Sequence, residues 1–406
     1  MKTHKVFVAI ILALIITSCG NKSGPEKNPF SLQIKNAKKT YKPSDELSVS
    51  ITNKERLEID SVVYSLRNKK VAVSVKNNPQ IIPLQKEKLG KEQLKATVYV
   101  DDKEYEANTE FTLLASKKPE LYTYKVLETY PHDINAFTQG LEFEGDILYE
   151  STGKRGESTL RKTNYKTGEV LQQVKLDNQY FGEGLTILNN KIYQLTWQAN
   201  KGFIYDENTL ERTGSFVYKE SKEGWGLCHS DSKIYKSDGT ERIWMLNPET
   251  LAETDYIELY THTSRIPKVN ELEWVEGKIY ANVWEQSSIA IVNPENGAVE
   301  GVIDLNGLQE KVTQHPDLNV LNGIAHKGEK DILYITGKYW DKLFKVQVIK
   351  KPQLKQEVVS RNKSCFTACF SGTRNGLGPY IERNFWSSYS IWACFGKHVE
   401  DVSTVF

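Results

Sequence analysis

The sequence predicts an all-β protein: a five-bladed β-propeller preceded by an immunoglobulin-like β-sandwich. Three observations carry this. A Gly-centred pattern occurs five times, its third residue recurring 44, 42, 45 and 52 positions apart. Each copy opens a set of short strand-like segments separated by turn residues, which is the grammar of a propeller blade. The stretch before the first copy alternates with period two and shows no helical periodicity. Eight Trp and 21 Tyr against two Met fit this class, because aromatic side chains suit half-buried pleated surfaces.

Composition narrows the function classes. The 53 Lys and Arg against 52 Asp and Glu leave a net charge of +1, so no global field draws in nucleic acid. A mean hydropathy of −0.51 excludes a polytopic membrane protein, and 39% hydrophobic residues exceed what a disordered chain carries.

Residues 1–19 read as a lipoprotein signal peptide. Lys2 and Lys5 precede an apolar run from Val6 to Ile16, too short to span a bilayer. It ends in Ile16-Thr17-Ser18-Cys19-Gly20, which looks like a bacterial lipobox with Cys19 as the lipidated residue. The expected location is the envelope of a Gram-negative cell, reached through this membrane anchor. Residues 20–29 are a polar tether.

Residues 30–117 form the predicted sandwich. Glu46–Ile51, Val71–Val75 and Ala96–Val100 alternate, with turn signals at Pro43–Asp45, Asn68–Lys70 and Asp101-Asp102. This region holds no Cys and no His, and no chemistry is read from it.

Residues 121–350 form the predicted propeller. The five openings are Phe137-Thr-Gln-Gly-Leu, Phe181-Gly-Glu-Gly-Leu, Glu223-Gly-Trp-Gly-Leu, Lys268-Val-Asn-Glu-Leu and Val320-Leu-Asn-Gly-Ile. Later turns begin at Asn164, Asp206, Asn247 and Asn293. The fifth unit runs out after Val348 without its fourth strand, and Leu121–Glu128 is placed to supply it, which removes an exposed edge. Residues 351–406 break every pattern. They hold Cys365, Cys369, Cys394 and His398 at spacings that match no zinc template, and read as an irregular or extraneous tail.

First strands of blades line a propeller's channel, so the third residues of the openings should form a ring: Gln139, Glu183, Trp225, Asn270 and Asn322. Kept flanking residues around a chemically mixed position describe a scaffold carrying a small-ligand site. Counting 13 to 16 residues onward adds Trp197, Asp238, Trp284 and Lys338, with Ser151 and Thr152 offered by the first unit. Glu183 is the only carboxylate of the ring. Cys228 reads as a buried core thiol and His132 as a turn residue. Metal-ligand spacing, a phosphate loop and a serine nucleophile elbow are missing, so neither metal nor cofactor is expected.

From Tyr124 to Val348 the sequence strongly resembles the plant- and bacterial-type glutaminyl-peptide cyclotransferases. Tyr130-Pro-His-Asp133 with Ala136–Leu141 resembles the family's opening motif; Tyr180–Leu185, Leu195–Trp197, Gly224–Leu227, Ser237–Gly239, Asn270–Trp274, Asn282–Trp284, Leu321–Ala325, Thr336–Lys338 and Trp340 follow in order. The family is a five-bladed propeller, in agreement with the repeat count.

The resemblance implies cyclisation of an N-terminal glutamine of a peptide or protein to pyroglutamate, with release of ammonia. It assigns proton transfer to Glu183. Lys338, Gln139 and Asn270 complete the expected catalytic group; Trp197, Trp225, Trp284, Phe137, Phe181, Asn322 and Asp238 are the expected substrate-binding set. The chain is expected to act as a monomer. The alternative is a non-catalytic propeller on an envelope lipoprotein that binds a peptide or sugar.

Overall fold

The computed structural model describes residues 28–352. Cys19, the tether up to residue 27 and the tail from residue 353 lie outside the described residues. Within them the protein is all-β, with one short 3-10 turn at Gln309–Lys311 as the sole helical element. Contacts divide the chain into two compact units. Among the described residues, one comprises 28–39, Glu46–Pro83 and Glu92–Phe111; the other comprises Thr40–Asp45, Leu84–Lys91 and 112–352.

Strands of the N-terminal region form two sheets. A three-stranded sheet is ordered Phe30–Ile34, Glu46–Asn53, Gln80–Pro83, and a five-stranded sheet is ordered Thr40–Tyr41, Lys103–Leu113, Gly90–Val100, Ser61–Leu66, Lys69–Val75. The period-two segments bury one face: Leu47, Val49 and Ile51 in one sheet; Val62, Tyr64, Ala96 and Val98 in the other. The turn at Asp101-Asp102 has positive φ at both residues (44° and 61°), the backbone that matches the twist of a tight hairpin. One alternating segment is oriented against expectation. In the edge strand Lys69–Val75 the buried position is Ser74, and Val73 and Val75 face outward. The hydroxyl of Ser74 donates to the Asn78 carbonyl at 2.7 Å and so fixes the chain's exit; a register shift between Tyr64 and Ser65 accompanies it.

The second unit is propeller-like. Thr138–Lys175, Gly182–Val217 and Leu227–Glu258 each fold into a four-stranded antiparallel sheet with strands in sequence order. An eight-stranded sheet contains a fourth such run, Val269–Asp304, and then Glu120–Pro131, Lys342–Lys350, Ile332–Gly337 and Leu321–Ala325. Glu120–Pro131 thus pairs antiparallel with Lys342–Lys350 over nine residue pairs, as the surplus strand at one end and the missing one at the other require. Three residues at its start also pair in parallel with Gly301–Ile303, which joins two runs into one sheet.

The opening strands pack against one another in turn, and the first packs against the last, closing a ring. Each junction has its own apolar core: Leu160 and Phe203 with Leu185, Leu195 with Leu227 and Ile234, Ile243 with Leu272 and Ile279, Ile291 with Ile324 and Leu333, and Leu141 and Phe143 with Ala325 and Tyr334. The turn residues act as expected. The side-chain oxygens of Asn164, Asp206, Asn247 and Asn293 each accept the backbone N–H two residues on.

Candidate active site

Two repeated backbone irregularities build the site. In four runs the ladder between first and second strand breaks at the third residue of the opening pattern, across Thr138/Gly140, Gly182/Leu185, Val269/Leu272 and Leu321/Ile324. A bulge frees that residue from its own sheet and re-aims its side chain. Gln139, Glu183, Asn270 and Asn322 are thereby brought together, each at most 4% exposed. Trp225 departs from the expectation. The third opening strand is short, Leu227–Ser230, and Trp225 lies just ahead of it, half-buried. Its carbonyl still accepts the Gly184 N–H at 2.6 Å, so it keeps its place beside Glu183. Such approach needs glycine: a Cβ on Gly184 would lie 2.6 Å from the Leu227 nitrogen, and one on Gly226 would lie 2.1 Å from the Asn270 oxygen.

The second irregularity follows the second strands. Trp197, Asp238, Trp284 and Lys338 each come immediately after one, and the equivalent position in the first run is Gly153. The next residue has a left-handed backbone in four runs: Lys154 (φ 83°), Gly239 (78°), Glu285 (67°) and Tyr339 (62°). For Tyr339 it is a costly conformation, held by surrounding structure. Gly153 leaves room for the aromatic pair Phe137 and Phe181, since a Cβ there would lie 2.3 Å from Phe181 Cε1.

These positions produce an aromatic wall. Tyr339, Phe137, Phe181 and Trp197 contact edge-on in succession with centroids 5.2, 5.9 and 5.6 Å apart, and Trp225 meets Trp284 at 5.9 Å. The Lys338 ammonium lies 4.9 Å from the Phe137 ring centroid. Asp238 is engaged elsewhere: it accepts from the Trp244 indole at 2.7 Å and from the Thr240 backbone and hydroxyl. It lines a cleft of about 500 Å³ with Trp225, Glu223 and Arg242, beside the ring residues and outside their number.

Electrostatics separate Glu183 of the ring and the nearby Lys338 from ordinary ionisable groups. Burial pushes the Glu183 carboxyl well above the usual range; Lys338 opposes this, Glu223 reinforces it, and a hydrogen bond from Gln139 again opposes it. Burial also pulls the Lys338 ammonium down to about 8, with Glu183 acting the other way. Four buried polar atoms here lack protein partners: Glu183 Oε2, Asn270 Oδ1, Asn322 Oδ1 and Asn282 Nδ2. Their neighbours are satisfied. Asn322 Nδ2 donates to the Thr138 carbonyl at 3.0 Å and to Gln139 Oε1 at 3.2 Å, and Asn282 Oδ1 accepts the Gly323 N–H at 3.1 Å. An orphaned buried polar atom costs about 1–3 kcal/mol, so three acceptors and one donor without partners on the opening and second strands call for an explanation.

Sequence reasoning missed several supports. His132 joins Glu150 and the Trp340 carbonyl; Glu150 also accepts from Thr138, and its Oε2 accepts two N–H groups of Arg161, tying the opening motif to the last run. Cys228 is a core thiol, raised by burial, as expected. Glu223, whose carboxylate joins two indoles, stood in the first position of a quoted motif but was not singled out.

The fold and these buried residues define a propeller-like protein with a candidate site on its opening strands. The sequence profile of the glutamine cyclotransferase family matches residues 97–348, and the chain belongs to that family. The match begins earlier than the Tyr124 expected from the motifs. A glutaminyl-peptide cyclotransferase of Arabidopsis thaliana is 39% identical over 227 residues, covering 55% of this chain and 71% of the relative. The crystal structure of Myxococcus xanthus glutaminyl cyclase is similar with a TM-score of 0.54 and 33% identity, covering 58% of this chain and all of that one.

Proposed function

We propose that this protein is a glutaminyl-peptide cyclotransferase that converts an N-terminal glutamine of a peptide or protein to pyroglutamate and releases ammonia. The observation that carries this is the buried Glu183, its pKa raised and its Oε2 unpartnered, set among amide side chains and facing a lysine of lowered pKa. The orphaned acceptors suit the N–H groups of an amine and a primary amide, and the Asn282 N–H suits a carbonyl.

In the reaction the α-amine nitrogen forms a bond to the γ-amide carbon. The substrate tethers its own nucleophile, so the enzyme need only select the curled conformer. Glu183, as carboxylate, takes a proton from the attacking nitrogen. Lys338 donates to the amide oxygen as negative charge gathers there. The C–N bond to the amide nitrogen then breaks as Glu183 returns its proton to the departing ammonia. A carboxyl shifted toward neutrality serves both transfers better than one at its ordinary value. Gln139, Asn270 and Asn322 hold the reacting end, and Phe137, Phe181, Trp197, Trp225 and Trp284 clamp its apolar stem. These side chains suffice for the chemistry, so we propose a reaction without metal or cofactor; a chelator should leave the rate unchanged, and loss restored by zinc would refute this.

We read the repeated runs as five blades, closed by the pairing of Glu120–Pro131 with Lys342–Lys350, and the N-terminal sheets as an immunoglobulin-like module over 30–117. We further propose Cys19 as a lipid anchor holding a monomer at the cell envelope; intact-mass analysis of the mature N-terminus tests this. Incubation with a Gln-initiated peptide should yield ammonia and a pyroglutamyl end. A peptide that binds and stays unchanged would favour a binding propeller.

A further inference from the structure

Glu223 lies between the last strand of the second run, Arg212–Val217, and the opening strand Leu227–Ser230. Its Oε2 accepts two indole N–H bonds, from Trp197 at 2.8 Å and Trp225 at 2.9 Å, and its Oε1 accepts from Gln198 at 3.3 Å. It thus joins the two halves of the aromatic wall. The segment carrying it is anchored from beneath. Glu253 Oε2 accepts the backbone N–H groups of Lys219, Glu220 and Ser221, and its Oε1 accepts the Ser221 hydroxyl. Lys236, fully buried, donates to the Glu223 carbonyl at 2.8 Å and to the Ser221 hydroxyl. Half-buried indoles at a wet mouth could satisfy their N–H groups with water. A carboxylate held there by a buried lysine–glutamate pair is a built device.

We propose that Glu223 is a positioning residue: it locks Trp197 and Trp225 as a pair and sets a second negative charge beside Glu183. This rests on the cyclotransferase reading of the same site. The charges and polar groups around Glu183 are Lys338, which favours its ionised form, Glu223, which disfavours it, Gln139 and the Tyr218 hydroxyl. Removing the Glu223 charge therefore makes the Glu183 carboxylate easier to form.

The test compares Glu223→Gln, which keeps an acceptor for the indoles but loses the charge, with Glu223→Ala, which loses both. In Glu223→Gln the acid limb of kcat/KM should move to lower pH by about one unit, with KM changed less than about threefold. The infrared carboxyl band of Glu183, identified by its loss in Glu183→Gln, should titrate lower by the same amount. In Glu223→Ala, KM should rise about tenfold and tryptophan fluorescence should change, with the melting temperature near wild type. An unmoved limb and band in Glu223→Gln overturns the electrostatic role; unchanged KM and fluorescence in Glu223→Ala overturns the pairing role. If wild type releases no ammonia, the cyclotransferase reading fails, and the infrared titration and fluorescence still decide the role of Glu223.

Discussion

At the residue scale, the site works by opposed burial. Glu183 and Lys338 are both nearly inaccessible, and desolvation moves their pKa values toward each other. Lys338→Met should lower kcat by about 10²–10³-fold with a smaller effect on KM, because the lysine is asked to act on charge that develops in the transition state. Equal losses in 1/KM and kcat/KM would make it a binding residue instead. Gly153→Ala forces a methyl into the Phe181 ring, so it should raise KM more than it lowers stability. A thermal scan beside the kinetics checks this. The shared buried position of Gln139, Glu183, Asn270 and Asn322 was legible because equivalent residues of a repeat take equivalent places. Glu223 was not, because it stands in the first slot of the pattern and the ring residues stand in the third. The first slot also holds Phe137 and Phe181, so reading it as a second ring would have found it. Asp238 stands at the expected wall position beside Trp225, and its carboxylate is already engaged by the Trp244 indole.

At the element scale, the repeat is written into the backbone. The third and fourth strands of every run slip register at one matching place: Lys162/Thr163, Ile204/Tyr205, Met245/Leu246, Ile291/Val292 and Lys345/Val346. No residue type marks these slips in the sequence, which is why strand number was legible and the bulges were not. The ring closure was legible, since a spare strand at one end answers a deficit at the other. Val346 is fully buried at this closure and pairs with Val126. Val346→Ala should destabilise the protein by about 2 kcal/mol, read by denaturant titration. A change near zero would mean that the closing strand is not part of the cooperative fold. The outward valines of Lys69–Val75 were illegible for a plain reason: alternation fixes that a strand has two faces and leaves open which one is inside.

At the scale of the whole molecule, buried carboxyls on the opening strands should set the pH response. Below the ring, burial raises the carboxyls of Glu142, Glu271 and Glu273, each of which accepts backbone N–H groups from neighbouring strands. On a chain these residues look like solvent-facing alternates. They are buried because the opening strands of a closed ring have no outer face. Their folded pKa values lie above the unfolded ones, so the folded state binds more protons between the two. Stability from these groups is complete below the ordinary carboxyl range and is lost as pH rises through the folded values, which for Glu142 is about 8. Lys236 and Lys338, lowered to about 8, stay protonated in both states through most of this window and add little slope. Glu150 runs oppositely: Arg161 and His132 outweigh its burial and hold it low, so its contribution is lost in acid. The melting temperature should therefore peak in mild acid and fall toward pH 8. Replacing Glu142, Glu271 and Glu273 together by Gln should flatten that fall; a profile unchanged by the triple replacement would refute the assignment.

The proposed chemistry turns on the Glu183 carboxyl. The most direct test is the rate of ammonia release from a Gln-initiated peptide by Glu183→Gln against wild type at neutral pH, with folding checked by near-ultraviolet circular dichroism. If Glu183 carries the proton, kcat should fall by about 10²–10⁴-fold while peptide binding persists. A variant that turns over at the wild-type rate would contradict the account.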